Sequence, residues 1–331
     1  MSSVLLRFLL FLALASPLFA GAASAEGPVV RYTDIVYRTL PDVDPRLVSL
    51  DIYTAPKPAA GVTENTPHPA GPPAFGHSPV FVMVHGGGFR AGDKAGDPGA
   101  ARPGLIYPKM EHFLARGWLF VSVNYRLTDT SLPFDHPRQV RHPDHLEDVL
   151  AALAWLKANI GAYGGDPARI VLAGHSAGAT LVALAACDQA RLARHGLAGQ
   201  DIAAVIALDG FYDIGARLPY AAPFMRLVFG DEAEGWREAS PVYQVEPGER
   251  IAPMLIVHNT STAPEGSAVQ SQAFAARLRE AGNIAETYAA AFKTHAEINS
   301  DLGRPGDPLT GQVDRFLAAV LAPEGEGLTS P

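Results

Sequence analysis

The sequence predicts an α/β protein with a mostly parallel, doubly wound sheet, and three observations carry that reading. Short apolar runs recur along the chain, Val80 to Val84, Leu119 to Val123, Ile170 to Ala173, Ala203 to Leu208 and Met254 to His258, and Ala285 to Ala290 reads as a further strand. Continuous apolar runs of this length suit strands buried on both faces. Helical patterns separate them, which places helices on both sides of a parallel sheet. At 331 residues, 48% apolar and 18% charged, the chain has the material for one sizeable core, which excludes a wholly disordered chain.

Each element follows from its pattern. Val29 to Arg38 and Leu47 to Tyr53 alternate apolar and polar residues with no helix between them, so they read as antiparallel N-terminal strands. Tyr107 to Arg116 is a helix closed by Gly117. Leu146, Val149, Leu150, Leu153, Leu156 and Ile160 form a stripe along one helical face. Gly178 to Arg194 is rich in Ala and Leu and reads as one helix; Ser267 to Ala281 and Thr310 to Leu321 supply two more. Between Pro56 and Pro79, proline fixes φ and removes donors, so a surface loop is expected. After the sixth strand, residues 214–250 form a small excursion, a candidate cap. Its Phe211, Tyr212, Tyr220, Phe224, Phe229 and Trp236 either line an acyl or aryl pocket or pack the excursion.

Residues 1–25 read as a secretory signal: Arg7, the apolar run Phe8 to Ala20, and the small-residue site Ala23-Ser24-Ala25. Residues 26–331 then form one domain, expected to be secreted or periplasmic and without stable membrane insertion. The net charge is −8 and no Lys/Arg block stands out, which makes nucleic acid a poor partner. The one cysteine, Cys187, forms neither an internal disulfide nor a zinc cluster. His142, Asp144 and His145 lack a third anchored metal ligand, and no metal or cofactor is expected.

The chemistry centres on Gly174-His175-Ser176-Ala177-Gly178, a G-x-S-x-G pattern between a predicted strand and a predicted helix. Such a turn is too tight for flanking side chains and exposes the Ser176 hydroxyl as a nucleophile. His85-Gly86-Gly87-Gly88 ends an earlier strand. Its bare backbone lets the Gly87 and Gly88 N–H groups, with that of Ala177, reach an oxyanion. His85 itself reads as a hydrogen-bonder that shapes the loop. His295, after the last strand, occupies the base position of a Ser…acid…His order, with His258 the rival. The acid is open. The segment after Met254 to His258 contains no Asp, and Glu265 is its carboxylate; Asp209, directly after Ala203 to Leu208, is the rival, followed by Asp213 or a water.

Those motifs, with the rest of His85 to Lys94 (HGGGFRAGDK), Asn124 to Leu127, His145 to Asp148 and Gly164 to Pro167, resemble the α/β-hydrolase esterases. The nearest in type are the arylformamidase-like carboxylesterases. The resemblance runs from about Val80 to His295. It implies cofactor-free hydrolysis of a small ester or formamide, with Ser176 and His295 as nucleophile and base and Gly87 and Gly88 as oxyanion donors. The sequence departs from the pattern in the missing Asp after the penultimate strand, in the Pro-rich insertion, and in an N-terminal segment too short for the cap of hormone-sensitive-lipase relatives. The absent Asp alone favours a catalytically weak binding protein on the same scaffold. A peptidase of this fold lacks support, because no propeller or second domain gates the site.

Overall fold

A computed structural model describes residues 29–55, 78–96, 105–217, 223, 225–260 and 267–322. The expected signal, most of the Pro-rich loop, Tyr220, Phe224 and Glu265 lie outside them.

The described residues build an eight-stranded sheet in the order β1-β2-β4-β3-β5-β6-β7-β8. The strands are β1 Val30–Val36, β2 Ser49–Thr54, β3 Ser78–Val84, β4 Leu119–Val123, β5 Gly165–His175, β6 Ala204–Leu208, β7 Met254–His258 and β8 Ala285–Ala289. β1 and β2 are antiparallel to their neighbours; β4 through β8 run parallel around β3. The helices are α1 Tyr107–Leu114, α2 Asp144–Asn159, α3 Ala177–Cys187, α4 Gln189–Arg194, α5 Ile214–Arg217, α6 Met225–Phe229, α7 Ala233–Glu238, α8 Ser267–Glu280, α9 His295–Ser300 and α10 Pro308–Val320.

Period-2 alternation along the strands feeds two cores. Val80, Val82 and Val84 of β3 face the layer of α2, α3 and α8, while Phe81 and Met83 face α1 and α10. The α2 stripe expected from sequence is buried along its whole length. Helix α3 is buried on every side, which is why its sequence is almost wholly Ala, Leu and Val. The single helix expected over 178–194 is two. At Asp188 the backbone turns out of helical geometry (ψ 79°), and the Asp188 carboxylate caps α4 by accepting from Arg191 N at 2.8 Å. A competent N-cap side chain thus restarts the helix in a new direction. Helix α9 was not anticipated. It begins with a capping box in which Thr294 and Glu297 satisfy each other's backbone N–H groups.

The excursion after β6 folds as α5, α6 and α7. Tyr212 stacks on Phe274 of α8 at 4.8 Å, Phe229 meets Phe89 edge-on at 5.2 Å, and Trp236 Nε1 donates to the Gly230 carbonyl at 3.0 Å. Packing of the excursion, rather than a pocket, accounts for these aromatics.

Several of the quoted motifs serve as scaffolding. Asp148, fully buried on α2, accepts from Arg126 Nε at 2.7 Å, Arg126 N at 3.0 Å and Arg38 Nη1 at 2.9 Å. Asn124 Oδ1 accepts from Lys94 N at 2.6 Å, and Lys94 Nζ pairs with Asp34 and Asp51 at 2.6 and 2.8 Å. The residue after β4 and strands β1 and β2 are thereby tied to the loop that follows β3.

Lys109 in α1 is wholly buried, and its ammonium donates to the carbonyls of Leu105 and Asn299, so that it braces α1 against α9. Burial lowers its pKa from 10.5 to about 7, against the opposing pull of Asp301. A neutral amine has two N–H groups, enough for both carbonyls. Below pH 7 both folded and unfolded chains hold this proton. Between about 7 and 10.5 only the unfolded chain does, so stability rises with pH across that window. In denaturant melts, the stability of the natural protein relative to Lys109→Met is expected to increase by about 2 kcal/mol from pH 7 to pH 9. A flat or falling difference contradicts this account of Lys109.

Candidate active site

The segments that follow the carboxyl ends of five adjacent strands, β3, β5, β6, β7 and β8, carry the polar groups, where open α/β sheets place their sites. Ser176 follows β5 in a conformation rare for a side-chain-bearing residue (φ 56°, ψ −118°). The strain, of order 1–3 kcal/mol, is held by backbone bonds on both sides: Ser176 N donates to Leu208 O at 2.9 Å, and Thr180 N to Ser176 O at 3.1 Å. The flanking glycines are required by space. A Cβ on Gly174 would overlap the Gly178 carbonyl, and one on Gly178 would overlap that of Val84. The turn therefore sits against the end of β3, where the triple-glycine loop begins.

In that loop, Gly87 and Gly88 have φ of 103° and 61°, which L side chains disfavour. Gly86 faces the elbow closely enough that a Cβ there would lie 3.1 Å from the Ser176 Cβ. Ala177 opens α3, so its N–H is among those that a helix start leaves without intrahelical acceptors. His85 shapes the loop: its Nδ1 donates to Gly86 O at 2.8 Å and its ring stacks on Tyr125 at 4.4 Å. The Tyr125 hydroxyl returns to the His85 carbonyl at 3.0 Å. Burial holds the His85 imidazole below its usual pKa, so it is the neutral ring that stacks there.

His295 stands at the start of α9 with about half of its side chain exposed. Its Nδ1 lies 2.6 Å from Asp209 Oδ2. Asp209, directly after β6, is buried and has φ 55°. Its carboxylate also accepts from Asn259 N and Nδ2, each at 3.0 Å, and from the Ser267 hydroxyl. Burial pushes the Asp209 carboxyl up, but the donors of His295, Ser267 and Asn259 outweigh it and hold the pKa at about 2. The carboxylate thus stays charged through neutral pH with every neighbour donating to it. Beneath, His175 Nε2 donates to the His295 carbonyl at 2.8 Å, and its ring lies 4.5 Å from that of His295. Burial, reinforced by His295, lowers the His175 pKa to about 4, so the supporting ring is neutral.

Ser176, His295, Gly87 and Gly88 line one cleft of about 380 Å³. The sequence-predicted serine, imidazole and glycine loop are therefore brought together. The carboxylate is the correction: the partner of His295 is Asp209, the rival in the sequence reading, while the preferred Glu265 lies outside the described residues. The other rivals are engaged elsewhere. His258 Nδ1 donates to the Asn259 carbonyl at 2.6 Å, and Asp213 accepts from Tyr243 Oη and Ala216 N, each at 3.0 Å. His145 pairs with the Thr128 hydroxyl at 3.1 Å, and among the described residues no group of three or more His, Cys, Asp or Glu is placed to hold a metal. None of Phe211, Tyr212, Phe229 and Trp236 lines the cleft. Sequence reasoning missed Asn259, Ser267 and His175. Asn259 carried a signal, since it fills the slot after β7 where an acid was sought and instead donates to one.

Known proteins place this geometry in context. A family model described as BD-FAE matches residues 72–278, well over half of the chain. The chain is 33% identical to Esterase LipQ of Mycobacterium tuberculosis over 66% of its own length and 50% of that protein's. It is 30% identical to Probable carboxylic ester hydrolase LipM of the same organism over 76% and 57%. The chain thus spans about half the length of these curated relatives. Among solved structures, esterase B from Lactobacillus rhamnosus superposes with a TM-score of 0.63 at 18% identity, covering 88% of this chain and 86% of that one, a likeness of fold. With this architecture and this match, the chain is an α/β-hydrolase-fold protein and belongs to the BD-FAE family.

Proposed function

We propose that the protein is a serine hydrolase of the carboxylesterase type, cleaving small carboxylic esters through an acyl-enzyme. The observation that carries the reading is the 2.6 Å bond from His295 to the buried Asp209 carboxylate, in a cleft shared with Ser176 and the glycine loop. The names of the curated relatives, an esterase and a carboxylic ester hydrolase, support it.

Asp209 accepts the Nδ1 proton and thereby leaves Nε2 of His295 as the basic nitrogen. His295 takes the proton of Ser176 as its Oγ attacks the ester carbonyl. The N–H groups of Gly87, Gly88 and Ala177 stabilise the oxyanion, each worth about 10²–10³ in turnover. The imidazolium then protonates the departing alkoxide. Water, deprotonated by the same imidazole, releases the acid and frees Ser176. Asp209 in place of Glu265 completes the triad, which removes the reason for reading the chain as an inert scaffold. Export of the protein, as residues 1–25 suggest, is part of the same proposal.

Ser176→Ala is expected to reduce hydrolysis of p-nitrophenyl butyrate by at least about 10³-fold and to abolish labelling by a fluorophosphonate. Retained turnover rejects the proposal. Asp209→Asn is expected to lower kcat about 10³–10⁴-fold, because the amide no longer fixes the tautomer of His295. Glu265→Gln is expected to stay within a factor of about two of the natural protein. The opposite ranking would return the acid to Glu265.

A further inference from the structure

His295 sits on a helix of six residues, and a helix that short keeps its place only through tertiary anchors. Asp209 holds the ring. The backbone of α9 is held separately, from the layer below, at both ends. Lys109 donates to the Asn299 carbonyl near its end, and His175 Nε2 lies 2.8 Å from the His295 carbonyl at its start. A carbonyl only accepts, so Nε2 carries the proton of this ring.

His175 is the odd member of its strand face. Period-2 alternation puts Val171, Ala173 and His175 on the side of β5 that faces α1, α9 and α10. Val171 and Ala173 join an apolar cluster there with Ile298 of α9. An apolar residue at 175 would continue that face without the cost of burying a polar ring. The imidazole is instead only 7% exposed, and its ring lies 4.5 Å from that of His295 at an interplanar angle of 40°. Its other nitrogen borders the glycine loop, since a Cβ on Gly86 would lie 3.1 Å from His175 Nδ1. One buried side chain thus meets both groups that flank Ser176, the loop on one side and His295 on the other.

We propose that His175 is a positioning residue: its hydrogen bond to the His295 carbonyl sets where the imidazole of His295 stands relative to Ser176. The inference rests on the hydrolase reading above and adds a residue to it. His175 works through His295, by fixing the backbone from which that ring projects. Because burial keeps the His175 ring neutral, the imidazolium that forms on His295 during turnover meets no second charge beneath it.

Three variants separate the hydrogen bond from packing. His175→Gln keeps an N–H donor four bonds from Cα, as histidine Nε2 is, but no ring. His175→Phe keeps a ring but no donor. His175→Leu has neither, and it replaces the phenylalanine variant should that one not fold. The readout is kcat for p-nitrophenyl butyrate per Ser176 titrated to completion with a fluorophosphonate, so that unfolded protein does not count. His175→Phe is expected to lower this kcat at least about tenfold with KM within about twofold, because a displaced base raises the barrier without weakening ester binding. His175→Gln is expected to stay within about threefold of the natural protein. Equal losses in the glutamine and phenylalanine variants, the reverse order, or an unchanged kcat per titrated site in all of them each overturn the assignment. Failure of the natural protein itself to label overturns the hydrolase reading instead, and this assignment with it.

Discussion

The turn at Ser176 is the constraint on which the rest of the site depends. A strand that reverses into a helix within one residue forces the serine to φ 56°, ψ −118°, and the chain adopts that conformation only because its surroundings leave no other. The end of β6 accepts the serine N–H, and the carbonyls of β3 press against Gly178. The elbow is therefore pinned between the two strands that flank β5. Those two strand ends continue into the other working parts, β3 into the glycine loop and β6 into Asp209. A single tight turn thus fixes the Ser176 side chain relative to both groups.

The buried carboxylate shows the same economy. Asp209 collects four donors from three parts of the chain: His295, the backbone and side chain of Asn259, and Ser267 at the start of α8. Charge buried at 1% exposure is tolerated because each donor compensates the lost hydration. The arrangement also places the carboxylate that meets His295 after β6 rather than β7. The two strands are neighbours, and Asp209 N donates to Val257 O at 2.8 Å, so a carboxylate on either strand end lies near His295. In this chain β7 supplies an amide to support the carboxylate instead of the carboxylate itself.

Much of the architecture was legible before any coordinates. The apolar runs mark strands because a parallel sheet covered on both faces has no polar side, and five of the eight strands, β3 to β7, read clearly for that reason. The α2 stripe and the Gly-Ser-Gly turn are equally local signals. Breaks and short helices were less so. Asp188 ends α3 through its own side chain, in a stretch whose composition remains helical throughout. The start of α9 was written in Thr294 and Glu297 as a capping box, but only six residues follow, too few for a periodic signal. The aromatics of the excursion illustrate the converse: composition says that they are large and apolar, not which surface buries them.

What the sequence determined by itself was the fold class, the serine on its turn, the glycine loop and the placement of His295, because each is encoded by residues adjacent in the chain. The tertiary structure alone decided which carboxylate meets His295, since Asp209 lies 86 positions away from it along the chain and Asn259 and Ser267 complete the shell from still other segments. It also decided that Lys109 braces Asn299, a contact spanning 190 positions. Hydrogen bonds of that range follow from the packing of strand ends and helices, and no local pattern of residue types records them.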